Sequence, residues 1–245
     1  MAFSPTVPVP GAPTTMSGIT PTSPEADQEK EKAAPMAGHS LRDERRERRR
    51  KMSRDQILDV AERIFARDGF HGAALREIAE LAEYSVGSVY TFFPGGKDDL
   101  YRATFHRRSA LFMPEMRAVL ATGASPREQL IALADWQVDF FRRHCHFGRL
   151  VLRGGAIAPP LAEPTGDPRI TRNFQEAQAL QAELFTRGQA AGELRPGAAP
   201  VLARMFSGLI AAYQAAELAD PQETQPPMNA GEFHDLLARA FFTEH

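Results

Sequence analysis

Apolar residues recur along this chain at the spacing of an α-helix. Ile57, Val60, Ala61, Ile64 and Phe65 lie at i, i+3, i+4, i+7 and i+8, so one helix face carries all five. A glycine four residues after the last of them is a helix-ending signal. No segment keeps the two-residue alternation of a strand, so the pattern predicts an all-α protein.

Two short helices with a tight turn between them are predicted next. The first carries apolar residues from Leu75 to Ala82, and the second begins at Ser85, a residue type that favours the helix N-cap. A Pro-Gly-Gly stretch after Phe93 ends the second helix. A helix, a tight turn and a helix can place a short recognition helix in the major groove of DNA. We therefore predict a helix-turn-helix at about residues 74–93.

The remaining pattern brings the total to about nine helices. Ser125 followed by Pro126 and Glu128 is a strong helix-start signal. Pro114 should kink or break the helix in which it falls. A further helix is predicted to begin at about residue 98, and others to cover about 147–153, 169–190, 198–219 and 230–243. Loops are predicted at 154–168 and 221–228.

Composition limits what the chain can be. Residues 1–40 are rich in proline and small polar residues, so we expect a disordered extension, and they lack the basic and apolar pattern of a secretory signal. The chain has one cysteine and a formal net charge of −2. No apolar run approaches the ~20 residues that span a bilayer. We expect a soluble, cytoplasmic protein without a membrane partner.

A charge block at residues 41–54 holds eight basic and three acidic side chains. It is either a solvated helix extension or an arm that contacts DNA phosphates. The second helix of the helix-turn-helix is rich instead in small and hydroxyl residues, which let a helix approach phosphates and bases closely. An arginine such as Arg76 can read guanine. The predicted DNA contacts are Arg76, Ser85, Val86, Gly87, Ser88, Tyr90, Thr91, Phe92 and Lys97, with Arg48, Arg49 and Arg50 of the charge block.

These residues resemble the DNA-binding domain of the TetR family of bacterial regulators. The resemblance covers roughly residues 53–101, and several separately spaced positions agree at once. They are Ile57-Leu58-Asp59-Val60-Ala61, Phe65, Gly69-Phe70, Ile78-Ala79, the run from Ser85 to Phe93, Lys97 and Leu100.

The resemblance implies a homodimer. It implies a three-helix DNA-binding domain joined to a larger helical domain that binds an effector, with the last two long helices pairing between subunits. By position and length, helices at about 198–219 and 230–243 match that pairing. The domain organisation expected is therefore a basic arm and helix-turn-helix at 41–97 and a ligand-binding and dimerisation domain at 98–245.

The chain departs from the family pattern in three places. Ala73 and Ala74 stand where hydroxyl residues usually cap the first helix of the motif, and a lost cap costs about 1 kcal/mol. Glu83 stands where the turn usually has glycine, and a positive φ there would cost roughly 1–2 kcal/mol. The loop before Lys97 is one residue longer, which shifts the register of that lysine.

A pocket for an apolar or amphipathic effector is expected among the later helices, by analogy with the family. Each aromatic residue there could equally belong to the core. The His144-Cys145-His146 sequence does not place both histidines on one helix face, so we expect no metal site. His144 is expected near the pocket or at a helix C-terminus, where a partial positive charge is favourable. The candidate lining residues are Phe105, Phe112, Met116, Trp136, Phe140, His144, Phe174 and Met205.

The sequence therefore predicts a ligand-responsive regulator, a repressor that binds a palindromic operator as a dimer and is released by a small molecule. The chain lacks a nucleophile elbow, a phosphate-binding glycine loop and a metal-ligand motif, so neither an enzyme nor a cofactor is expected. The alternative is a helical small-molecule sensor or carrier that has lost specific DNA binding, which the changes at Ala73, Ala74 and Glu83 would explain.

Overall fold

The computed structural model describes residues 36–153, 167–218 and 228–244, and nine helices account for most of them. Within these ranges there is no β-strand, only an isolated bridge between Leu194 and Phe242, and the predicted all-α class is confirmed. The helices are α1 (Met36–Gly72), α2 (Leu75–Leu81), α3 (Val86–Phe92), α4 (Lys97–Leu120), α5 (Pro126–Arg143), α6 (Cys145–Arg153), α7 (Pro168–Ala190), α8 (Ala199–Leu218) and α9 (Ala230–Phe241).

Helix α1 includes the charge block. It begins at Met36, within the segment 1–40 that is expected to be a disordered extension; residues 1–35 lie outside the described residues. The chain divides between Glu47 and Arg48 into two units. In the first unit the Ser40 hydroxyl donates to Glu44 at 3.4 Å. The second unit holds the rest of α1 and all the other helices.

Local signals set most of the helix ends. Gly69 has φ 73°, which ends the regular part of α1 as predicted. Ser125 and Glu128 form a capping box at the start of α5. Pro114 lies inside α4 without breaking it, because α4 continues to Leu120. The predicted loops at 154–168 and 221–228 lie almost wholly outside the described residues, since only residues 167, 168 and 228 of them are described.

Two buried clusters form the core of the second unit. The first unites α1, α2 and α3 with the first half of α4 and with residues of α5, α6 and α7, and it includes Phe65, Phe105 and Phe140. The second is built from α4, α5, α7, α8 and α9 and includes Met113 and Phe206. The two clusters therefore meet along α4, α5 and α7. No helix in the described parts of the chain combines the length and apolar character needed to cross a bilayer.

Candidate nucleic-acid interface and ligand cavity

The turn between α2 and α3 has a backbone geometry that glycine usually adopts, but Glu83 occupies the position. Glu83 has φ 63°, in the left-handed region that a residue with a Cβ occupies only under strain. Its N–H donates to the Glu80 carbonyl at 3.1 Å, and the Tyr84 N–H donates to the Ala79 carbonyl at 2.9 Å. These two bonds form a Schellman motif, which closes the end of α2. The turn thus keeps the shape of a helix-turn-helix and stores strain at Glu83.

Helix α1 stabilises this turn through the side chain of Gln56. Gln56 Nε2 donates to the Ala82 carbonyl at 3.3 Å, and the Tyr84 hydroxyl donates to Gln56 Oε1 at 3.5 Å. A glutamine paired with a turn far along the chain leaves no local sequence signal.

Lys97 makes contacts within the protein. Its Nζ donates to the carbonyls of His71 and Ala73, at 3.3 and 3.1 Å, and lies 4.8 Å from the centre of the Phe70 ring. Ala74, at the N-cap of α2, provides no side-chain cap, as its residue type predicts. Lys97 thus joins the end of α1 to the start of α4, and its ammonium is partly neutralised by carbonyl dipoles before any phosphate approaches.

Helix α3 presents a polar and small-residue face to solvent. The Ser85 hydroxyl accepts from the Ser88 N–H at 3.0 Å and so caps the helix. Val89 and Phe93 are buried, while Phe92 is only partly buried and packs against Tyr84. The exposed face consists of Ser85, Val86, Gly87, Tyr90 and Thr91, with Ser88 half-buried beside them.

Tyr90 is held in place by the loop that follows α3. Gly96 has φ 60°, and a Cβ at this position would lie 3.1 Å from Cε1 of the Tyr90 ring. A glycine is therefore required for the loop to pass the ring. The ring remains 48% exposed, which leaves its hydroxyl available to a partner molecule.

The predicted basic contacts lie on two helices. Arg76 of α2 pairs with Glu80 at 2.8 Å across an exposed surface, and its own side chain is 83% exposed. On α1, Arg48, Arg49 and Arg50 are all exposed. Arg54, one turn further on, lies 5.0 Å from the centre of the Phe93 ring.

A mostly apolar cavity lies among α4, α5, α6, α7 and α8. It encloses about 810 Å³ of space free of protein atoms, part of which is open to solvent. Of the predicted lining residues, the structure brings together Phe105, Phe112 and Phe174. The apolar wall also includes Phe141 and Phe147, two further aromatic residues of these helices, together with Val151 and Ile170.

The other five candidates do not line this cavity. Met116 and Phe140 are fully buried core residues. Trp136 donates from Nε1 to Glu115 at 3.0 Å, and its ring centre lies 4.8 Å from that of Phe112. Met205 is 53% exposed on α8 and faces solvent.

His144 is the C-cap of α5 and its ring packs against Phe140, at 4.7 Å between centres. Burial lowers the pKa of His144 below its usual 6.5, and the positive charges of Arg108 and Arg143 lower it further. His144 therefore lies at a helix end, one of its two expected positions, and its lowered pKa disfavours the positive charge expected there. Among the described residues no group of three or more His, Cys, Asp or Glu side chains could hold a metal ion.

The cavity also has polar lining residues that sequence reasoning missed. Amide and hydroxyl side chains project from four helices, and their types alone would be read as ordinary helix surface. They are Ser109, Gln137, Asn173, Gln178, Gln181, Ser207 and Gln214.

A buried charge cluster links α1 to the helix that lines the cavity. Glu62 of α1 accepts from Arg107 at 2.8 Å and from Arg108 at 2.9 and 3.0 Å, and its side chain is only 4% exposed. Arg107 also bonds Asp59 at 2.7 Å. Both arginines lie on α4, within a few residues of Phe105 and Phe112 in the cavity wall.

A comparison with known proteins finds a family match in the segment that contains the helix-turn-helix. The model of the bacterial regulatory proteins of the tetR family matches residues 57–104. The transcriptional repressor NicS of Pseudomonas putida is 26% identical over 144 residues, which cover 59% of this chain and 60% of NicS. The transcriptional activator FasR of Mycolicibacterium smegmatis is 27% identical over 146 residues, 59% of this chain and 63% of FasR. The chain thus spans about three fifths of the length of these curated relatives.

Structural similarity extends further along the chain. The structure of FadR from Bacillus subtilis in complex with stearoyl-CoA aligns with a TM-score of 0.60 at 20% identity, covering 76% of this chain and 97% of that one. The likeness shows that this chain shares the fold of that protein beyond the helix-turn-helix. The capped α3 and the Schellman turn both lie within residues 57–104, the segment that matches the tetR family of bacterial regulatory proteins.

Proposed function

We propose that this protein is a ligand-responsive transcriptional regulator that binds a palindromic DNA operator as a homodimer and is released by a small-molecule effector. The observation that carries the proposal is the exposed face of α3, from Ser85 to Thr91, in a segment that matches the DNA-binding domain of the family. In a helix-turn-helix this face enters the major groove. The functional division is a DNA-binding part at 41–97 and an effector and dimerisation part at 98–245.

The DNA contacts divide into two kinds. Hydroxyl and small residues of α3 contact phosphates and base edges, and Arg76 reads a base once it leaves Glu80. Arg48, Arg49 and Arg50 contact the phosphate backbone. Lys97 supports the motif through the His71 and Ala73 carbonyls, so its part in DNA binding is mainly to position the helices.

The cavity is the effector site of this proposal. Its wall of aromatic and aliphatic side chains suits an apolar body, since concave and mainly apolar sites bind small molecules. The ligand in the FadR structure, stearoyl-CoA, carries a long apolar chain. Although that similarity is one of fold, it supports an apolar effector here.

A stripe of exposed apolar and small residues on the last two helices supports a dimer. Val201 and Met205 of α8 are 54% and 53% exposed, and Leu236 of α9 is 37% exposed. Gly208 has open space where a Cβ would lie, which allows a partner helix to approach closely. Apolar patches of this kind mark protein interfaces, so Met205 serves the dimer rather than the pocket.

Coupling between the two sites runs through α4. Two of its aromatic residues, Phe105 and Phe112, line the cavity. Its Arg107 and Arg108 donate hydrogen bonds to Glu62 on α1. An effector that favours another position of α4 would change the spacing of the two recognition helices in a dimer, and DNA affinity would fall by a shift in population.

Selection of bound DNA from a random pool tests the proposal. We expect a palindromic site with half-sites about one helical turn apart, and binding that weakens steeply with salt. A reporter gene behind the selected site then distinguishes repression from activation. Lack of any sequence preference at low salt would contradict the proposal and favour the alternative of a sensor or carrier without specific DNA binding, for which the strain at Glu83 is the motivating observation.

A further inference from the structure

The cavity wall contains a row of buried amide and hydroxyl groups. Gln137, Gln181, Ser207 and Gln214 are only 9%, 3%, 7% and 5% exposed, although each could hydrogen-bond water on a helix surface. Burying a polar side chain costs free energy unless it finds a partner. The hydrogen-bond partners of these groups therefore indicate which polar groups a ligand in the cavity would need.

Gln178, Ser207 and Gln181 form a chain of hydrogen bonds with a direction. Gln178 Nε2 donates to Ser207 Oγ at 2.9 Å, and the Ser207 hydroxyl donates to Gln181 Oε1 at 2.7 Å. The single hydroxyl hydrogen of Ser207 goes to Gln181, so Ser207 has no hydrogen left to donate to Gln178. Gln178 Oε1 is buried and has no partner.

A second unsatisfied oxygen lies on α5. Gln214 Nε2 donates to the backbone carbonyl of Gln137 at 3.2 Å, but Gln137 Oε1 is buried without a partner. Together with Arg107 Nε, these two amide oxygens are the buried side-chain atoms without a partner in the described part of the protein, and both belong to residues of the cavity wall. A donor brought by a ligand would satisfy each of them.

Positive side chains are missing from the described cavity wall, which contains no Lys, Arg or His. A neighbouring cleft shares Ser109 and Asn173 with the cavity and holds Arg117 and His106. Arg117 pairs there with Glu176, and His106 bonds Asp167 at 2.7 Å. A carboxylate or phosphate in the cavity would therefore lie beside amide oxygens, which repel it. In the neighbouring cleft it would compete with the carboxylates that already pair with Arg117 and His106.

We propose that the effector is an uncharged, mainly apolar molecule with hydroxyl or amide N–H donors, which Gln137 Oε1 and Gln178 Oε1 accept. This inference rests on the proposed function, because it gives the chemical class of the ligand for the same site. The apolar wall takes the body of the molecule, and the two amide oxygens select for donors against anions and against molecules that only accept hydrogen bonds.

The tryptophan of this chain provides the measurement. Trp136 is the only tryptophan, and its ring lies against Phe112 of the cavity wall, so its emission reports occupancy. Three probes with the same alkyl chain are titrated at pH 7: 1-decanol, its methyl ether and sodium decanoate. We expect decanol to bind about 3- to 10-fold more tightly than the ether, and more tightly still than decanoate, since one neutral hydrogen bond contributes about that much.

Two variants and a control separate ligand recognition from structure. Gln137→Leu and Gln178→Leu should reduce the preference for the alcohol over the ether to less than about twofold. Gln137→Leu should leave the melting temperature of the free protein unchanged or raised, because an unsatisfied buried acceptor is replaced by apolar surface. Gln178→Leu also removes the hydrogen bond to Ser207 and should lower the melting temperature slightly. Gln175→Leu, at an exposed position almost one turn before Gln178 on α7, should change neither quantity.

The results distinguish this inference from the function on which it rests. Equal binding of alcohol and ether, tighter binding of decanoate, or no response to decanol at up to about 1 mM would overturn the inference. So would a Gln137→Leu variant that binds all three probes equally weakly and melts earlier than the parent protein. Binding to the selected operator is measured on the same preparations without ligand. Its absence would overturn the regulator and not the preference for donors.

Discussion

Glu62 and Arg108 form a two-bond pair between the DNA-binding helices and the wall of the ligand cavity. Arg108 Nε and one terminal nitrogen donate to the two oxygens of the Glu62 carboxylate, at 2.9 and 3.0 Å. The side chains of Arg108 and Glu62 are 16% and 4% exposed. A paired geometry of this kind fixes both distance and orientation, so α4 cannot move relative to α1 without breaking it.

The first prediction concerns this pair. Glu62→Gln should lower the free energy of unfolding by about 3 kcal/mol, because two arginines lose the carboxylate that compensates their burial. Urea unfolding measures this. Glu80→Gln is the matched control, since it breaks the exposed pair with Arg76, and it should cost far less because exposed ion pairs contribute little. Equal losses in the two variants would show that the Glu62 cluster is no stronger than a surface pair.

The second prediction concerns the strained turn. Glu83→Gly should raise the free energy of unfolding by roughly 0.5–1 kcal/mol, because relief of a positive φ outweighs the greater freedom of glycine in the unfolded chain. Glu83→Ala is the control, since it removes the carboxylate but keeps the Cβ. Thermal unfolding compares the three proteins. An alanine variant as stable as the glycine variant would place the cost in the glutamate charge and not in the backbone.

Sequence reasoning located the helices and the DNA-binding motif because both depend on local signals. Apolar periodicity, the Ser125 capping box and the Ser85 cap act within one or two turns of helix, and the structure contains them. The conformation of Glu83 was left open by its residue type, and the structure gives it the positive φ of the glycine that the family usually has there.

The cavity could be predicted only in part, because it depends on contacts between distant helices. An aromatic residue on an amphipathic helix has the same sequence pattern whether it lines a cavity, as Phe112 does, or fills the core, as Phe140 does. The Gln178–Ser207–Gln181 chain joins α7 to α8, and nothing local marks it. Lys97 was assigned to DNA for its charge, yet the fold places two carbonyls beside it.

The third prediction concerns DNA contacts. Tyr90→Phe should weaken binding to the selected operator by about 3- to 10-fold through loss of one hydrogen bond, with unchanged thermal stability.

Replacing Arg49 and Arg50 by Gln should weaken binding to all sequences alike and lower the slope of log affinity against log salt by about one per phosphate contact. Filter binding at several salt concentrations gives both results. An unchanged slope would show that these arginines lie away from DNA and that the charge block is only a solvated helix.

The fourth prediction is a loss of stability in mild acid, caused by two histidines next to Cys145. Burial lowers the pKa of His144 and of His146 below 6.5, and nearby arginines add to the effect, while Glu62 opposes it at both positions and Glu115 at His144 alone. The folded protein therefore keeps both imidazoles neutral at a pH where the unfolded chain has protonated them. Since the unfolded state then binds more protons, the free energy of unfolding should fall as the pH drops below about 6.5.

Urea unfolding at intervals between pH 8 and pH 5 measures this slope, in a range above the usual titration of carboxylates. The double variant His144→Gln, His146→Gln should have a flatter profile than the parent protein, and each single variant should lie between them. At pH 8, where the imidazoles are neutral in both states, the variants report only the packing lost. A double variant that keeps the full acid slope would assign the loss of stability to other groups. A double variant that loses more stability in acid than the parent protein would mean that these two histidines are stabilised as cations, against the burial that the structure shows.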